Sequence, residues 1–122
     1  MTFRVMACGS HGVLALPAEG PVLGAEADLL DLMGEAMGRG ATWIAAPAER
    51  LGPDFFRLET RLAGTIAQKL VNYRLGLAVV GDVSALTAKS RALRDWVYES
   101  NRGRHVWFMP DLEALAARLS AL

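Results

Sequence analysis

The sequence predicts an α/β fold: an N-terminal β-hairpin, then αβ units, forming a mixed, mostly parallel sheet of about five strands with four helices. Three observations predict it. Residues 77–80 are an unbroken apolar run, the pattern of a strand buried on both faces. The stretch 77–110 runs from that strand through a charged helix to a second apolar strand, which is the unit of a parallel sheet. Apolar residues recur at helical spacing in further segments punctuated by Gly and Pro. At 122 residues the chain reads as one domain, 1–122, with room for a substantial core.

Residues 3–7 and 13–16 are short apolar runs around Gly9-Ser10-His11-Gly12, which predicts a hairpin. Pro17, Gly20, Pro21 and Gly24 precede a helix over 25–37, with Glu26 and Asp28 in its first turn, where the helix dipole favours negative charge. Its buried face is Leu29, Leu32, Met33, Ala36 and Met37. A strand over 42–46 stops at Pro47. Gly52-Pro53-Asp54 then opens the longest helix, expected to run to Tyr73 on an apolar stripe of Phe55, Leu58, Leu62, Ile66 and Leu70. Gly64 interrupts it at a cost of about 1 kcal/mol relative to alanine, which close approach of another backbone would explain. Next come a helix over 90–100 burying Leu93, Trp96 and Val97, with Leu86 in a preceding turn, and a strand over 106–109. Asp111 is placed to cap a final helix whose Leu112, Leu115, Leu119 and Leu122 share one side.

Composition narrows the function classes. Thirteen Lys and Arg balance thirteen Asp and Glu, and a nucleic-acid binder carries a larger positive charge, so nucleic acid is disfavoured as a partner. The balance is uneven: residues 1–61 hold five basic against eight acidic side chains, and residues 62–122 hold eight against five. No apolar run approaches the roughly 20 residues of a membrane span, and no apolar signal segment opens the chain. A single cysteine permits no internal disulfide, and the expected location is the cytoplasm. No G-x-G-x-x-G or Walker pattern occurs, the two histidines lack ligand spacing, and no cofactor or metal is expected.

The candidate chemistry gathers at turns. Glu49, Arg50, Asp82 and Ser84 follow strands, and ligand sites in parallel sheets lie where strands run out into loops. Asp82 is equally a turn former with Ser84 as its local partner. Glu49 and Arg50 are either a structural ion pair with the long helix or part of a site. Asn101, Arg102 and Arg104 follow a helix, and the two guanidiniums suit a carboxylate or phosphate, or else pair with Asp95, Glu99 or a neighbouring subunit. A polar stripe of Arg57, Arg61, Thr65, Gln68, Lys69 and Asn72 marks the opposite face of the long helix as either a solvated surface or a partner contact. Phe56 is a candidate interface anchor. The leading expectation is a small domain acting through protein contacts, with a partner or with itself. The alternative is a protein binding a small molecule or anion, or an enzyme acting on one, at the C-terminal ends of the strands.

The chain resembles a family of short bacterial proteins known as domain of unknown function family 4180. The residues that carry the resemblance are Glu49-Arg50-Leu51, Pro53-Asp54-Phe55-Phe56, Leu62-Ala63-Gly64, Gln68-Lys69, Val71-Asn72-Tyr73, Val80-Gly81-Asp82, Leu93-Arg94-Asp95 and Glu99-Ser100-Asn101-Arg102-Gly103. No activity follows from it. The order of elements also resembles the STAS domain, the fold of anti-sigma-factor antagonists and sulfate-transporter tails. That resemblance implies a phosphorylated serine after an aspartate at the start of the second helix, a position falling near Glu59-Thr60. The Asp-Ser pair is absent there.

Overall fold

In the computed structural model, which describes residues 3–122, five strands form one sheet in the order β1-β2-β3-β4-β5. They are β1 (Arg4–Cys8), β2 (His11–Ala15), β3 (Trp43–Pro47), β4 (Gly76–Val80) and β5 (Val106–Met109). β1 and β2 are the antiparallel hairpin, and β2 to β5 are parallel. Six helices accompany them: α1 (Glu26–Gly38), α2 (Pro53–Phe56), α3 (Leu62–Tyr73), α4 (Ser84–Lys89), α5 (Arg91–Asn101) and α6 (Leu112–Ser120). The four long ones, α1, α3, α5 and α6, are the four that the sequence predicts. No helix among the described residues is long and apolar enough to cross a membrane.

Strand order decides how the helices are distributed. Parallel crossovers are right-handed, so strands added one after another along one direction carry their crossover helices on one face. Accordingly Leu14, Ile44, Ala46, Leu77, Val79 and Val106 face a core shared with α1, α2, α3 and α5. The alternate residues, Val13, Ala15, Trp43, Ala45, Ala78 and Trp107, face a second, smaller core closed by Leu115 and Leu119 of α6.

That single helix has nine residues, a length of about 13 Å, against a five-strand width of about 19 Å. α6 starts beside the end of β5, where Asp111 Oδ1 accepts from the Ala114 N–H at 2.8 Å. It contacts both outer strands, β5 and β1, and ends against Gly9 of the hairpin turn. It therefore crosses the sheet diagonally and leaves two corners of this face open.

The structure corrects several local expectations. The helix expected from Pro53 to Tyr73 is broken: α2 gives way to extended backbone at Arg57, a 3-10 turn at Leu58–Thr60, and a left-handed Arg61 with φ 66°. The Thr60 hydroxyl closes the break by donating to the carbonyls of Asp54 and Arg57. The segment before β5 forms two helices, with Leu86 inside α4 and the Ser90 hydroxyl capping α5 through the Leu93 N–H. No backbone approaches Gly64, and a Cβ there would meet open space. Met37 and Leu122 are exposed rather than core, while Phe56 is buried with its ring edge-on to Phe55.

Candidate functional site

The upper open corner lies at the C-terminal ends of β2, β3 and β4. Here the side chains on the α6 face are Ala15, Ala45 and Val80, and Ala15 stands directly beside Ala45 in the ladder. Large indoles fill the lower half of the same face, so the reach of side chains falls off toward this end. The result is a cleft of about 550 Å³ with an alanine floor, walled by Leu16, Pro17, Ala18, Pro47, Gly81 and Leu112. Two charged residues line it, Arg4 and Glu49. Arg4 pairs with Ala15 across the antiparallel hairpin, which puts its side chain on the cleft face. Glu49 arrives from the 3-10 turn Ala48–Arg50 that follows β3.

Arg50 does a different job from the one its position suggested. It is 1% exposed, and it reaches away from the long helix into the connection from β2 to α1. Its Nε donates to the Pro21 carbonyl at 2.9 Å, and one terminal nitrogen donates to those of Pro17 and Glu19. Its own carbonyl accepts from the Leu23 N–H at 2.7 Å. Gly20 lies flat against the guanidinium with φ 144°, and a Cβ there would stand 2.8 Å from Cζ. Arg50 is thus the clamp that holds residues 17–23, and with them the Pro17 and Ala18 wall of the cleft.

Asp82 and Ser84 sit at the same edge but outside the lining. Asp82 Oδ1 accepts from the Ser84 N–H at 2.8 Å, the turn arrangement expected from sequence. The Ser84 hydroxyl, and then that N–H, hold the Asp82 carboxyl below the ordinary carboxylate range by bonding its charged form.

Asn101, Arg102 and Arg104 lie at the opposite end of the sheet, so the structure does not bring them to Glu49 and Asp82. A helix crossing back to the next parallel strand ends at that strand's N-terminal side. Arg102 and Arg104 border the lower open corner, with Arg102 5.6 Å over the Tyr98 ring. Asn101 is structural. His105 and Met109 turn their carbonyls toward β4, so the intervening Phe108 N–H points away from the sheet, and Asn101 Oδ1 accepts it at 2.6 Å. An edge strand's outward donor is thereby covered.

Of the helix-face group, Arg61, Gln68, Lys69 and Asn72 come together with Gly64 and Thr65 around a shallow hollow, where Gln68 Nε2 donates to Asn72 Oδ1 at 3.2 Å. Arg57 stands outside it. Thr60 is exposed, with its hydroxyl committed to the turn. Among the described residues no three His, Cys, Asp or Glu side chains converge as metal ligands would.

Sequence reasoning missed Arg4 and the residues 15–18 at the cleft. The signal for Arg4 was a charged residue alternating with apolar ones at the start of a hairpin strand. That end lies at the C-terminal edge of the parallel sheet because β1 runs antiparallel. Comparison with curated proteins and with solved structures finds no match. Residues 9–119 match the family described as Domain of unknown function (DUF4180), and the chain belongs to that family.

Proposed function

We propose that this domain binds a small molecule in the cleft at the C-terminal ends of its parallel strands. The observation that carries the reading is a concave site of about 550 Å³ on an alanine floor. Sites of 300–1,000 Å³ with apolar walls and few polar groups are the usual form of small-molecule pockets. Strand C-termini are where parallel sheets place such sites. The ligand class that fits has an apolar body lying on Ala15 and Ala45 and a polar or charged head between Arg4 and Glu49. A thermal-shift screen of small apolar acids, amines and amino acids tests it. A true ligand raises the melting temperature of the wild type, because binding only the native state stabilises it. Ala18→Trp, a substitution on the exposed wall, abolishes the shift. A screen in which no compound moves the wild-type transition beyond replicate scatter sinks the reading.

A second reading, a STAS-like interaction domain, draws on one specific observation. Gly64 weakens the exposed middle of α3 without any contact inside the monomer that requires it. A protein partner, or a second copy, laid against the Arg61–Asn72 hollow would use that missing side chain. The test compares Gly64→Trp with the wild type as bait and in sedimentation. Loss of a captured partner or of a self-associated species supports this reading, and unchanged behaviour removes it.

A further inference from the structure

The lower open corner of the α6 face is a hollow of about 690 Å³ at the N-terminal ends of the parallel strands. Its lining includes Arg74, Arg102, Arg104, Arg118, His11 and His105, and no Asp or Glu side chain. Among the described residues none of the four guanidiniums lies within ion-pair distance of an acid; the one salt bridge joins Arg39 to Glu35 on α1. In a chain with as many acidic as basic side chains, this is a segregated charge rather than a consequence of composition.

Part of that charge answers the fold. Arg74 and Arg102 are the residues just past the ends of α3 and α5, and Arg118 is in the last turn of α6. Cations are favoured there because each helix C-terminus carries about half a negative charge. Three ends supply about one and a half negative charges against four guanidiniums, which leaves a positive surplus. The surplus is also held in place. The Arg118 guanidinium lies 3.8 Å over the buried Trp107 indole, and one of its nitrogens donates to the Asn101 carbonyl. His105 Nδ1 donates to the Leu75 carbonyl at 2.9 Å, and His11 Nδ1 bonds Thr42 Oγ1. Donors fixed before a ligand arrives lose less freedom on binding.

We infer that this hollow is a second binding site, for a small phosphorylated molecule. Guanidiniums bond phosphate oxygens in a matching planar fork. A concave hollow within the 300–1,000 Å³ range of small-molecule sites favours a compact ligand over a polymer. Zero formal net charge disfavours nucleic acid. The site is independent of the cleft at the other end of the sheet.

Calorimetric titration of the full chain with inorganic pyrophosphate, at low and at physiological salt, tests the inference. The wild type is expected to bind at both. Loss of two charged hydrogen bonds in Arg102→Gln/Arg104→Gln should weaken binding by about tenfold or more. Arg91→Gln, at the far end of α5, and Ala18→Trp, at the cleft, should leave it unchanged. Circular dichroism melts establish that the double variant folds; Arg104→Gln alone, at an exposed position, serves if it does not. Absence of heat with millimolar pyrophosphate at low salt overturns the inference, as does equal weakening by Arg91→Gln, which would mean diffuse attraction. Parallel titrations use phosphatidic-acid vesicles and a short RNA duplex, and binding to either of these without pyrophosphate binding replaces the small molecule with a membrane or a nucleic acid.

Discussion

The same five strands present two unlike faces. On one, α1, α2, α3 and α5 pack over Leu14, Ile44, Leu77 and Val79 of the parallel strands, and only the edge strand β1, with Val5 and Ala7 exposed, lies outside their cover. On the other, α6 alone crosses from β5 to β1, indoles fill the lower half, and two corners stay open. Sequential strand order is the cause, because it sends the crossover helices to one side. In this fold, concavity comes from a shortage of cover, and both candidate sites lie on the sparsely covered face.

Five measurements would break or sharpen that contrast, beginning with the largest effect. Arg50→Ala removes the donor to three carbonyls of the segment that walls the cleft, and it should cost about 3–5 kcal/mol in urea unfolding, given 1–3 kcal/mol for each unsatisfied group and partial access of water. A loss below 1 kcal/mol would mean that residues 17–23 hold without the clamp. Gly76→Val probes the α6 face where it is tight: a Cβ at Gly76 would lie 2.3 Å from the Trp43 indole, and overpacking of this kind should cost about 3 kcal/mol. A neutral result would show that the indole pair, with ring centroids 4.1 Å apart, shifts freely and that the face is loose throughout.

Asn101→Ala uncovers the Phe108 donor at the β5 edge and should cost about 1–2 kcal/mol, with faster aggregation on heating as the independent readout. Gly64→Ala should act in the opposite direction, raising stability by up to about 1 kcal/mol, because the added methyl meets open space on a helix. A destabilised variant would place an unseen neighbour at that position. The smallest effect concerns pH. Asp82 is fully exposed and its folded pKa is lowered, so its contribution is present above the unfolded carboxylate pKa and is lost as pH falls through the folded value. Ser84→Ala should raise the Asp82 pKa toward the ordinary value in an NMR titration, and an unchanged titration would mean the hydroxyl takes no part.

The fold was legible because strand runs such as 77–80 and 106–109 and the helical stripes are local patterns, and they survive into the structure. The break at residues 57–61 was not legible: the apolar spacing of Phe55, Leu58 and Leu62 suits a continuous helix, while the left-handed Arg61 and the Thr60 hydroxyl bonds depend on how two helices meet. Of the charged residues lining the cleft only Glu49 was legible, because it follows a strand; Asp82 follows one too and shares the C-terminal edge, but its carboxylate is turned to the Ser84 N–H outside the lining. Arg102 and Arg104 precede a strand, and strand direction alone sends them to the end of the sheet opposite Glu49. The path of α6 has no sequence signal at all. It is set by where two indoles and two alanines leave purchase for Leu115 and Leu119.

Strand order also bears on assembly. Each strand joins the edge left by its predecessor, so the sheet can grow in the order in which the chain is synthesised, with contacts that stay close in sequence. No strand has to insert between two others. α6 comes last, and until residues 112–120 dock, Val13, Trp43, Ala45 and Trp107 form an open apolar plain that invites association with other chains. Docking of that helix is the event that both protects the plain and divides it into two separate hollows, so a chain stopped after Pro110 should be prone to aggregation and lack both sites together.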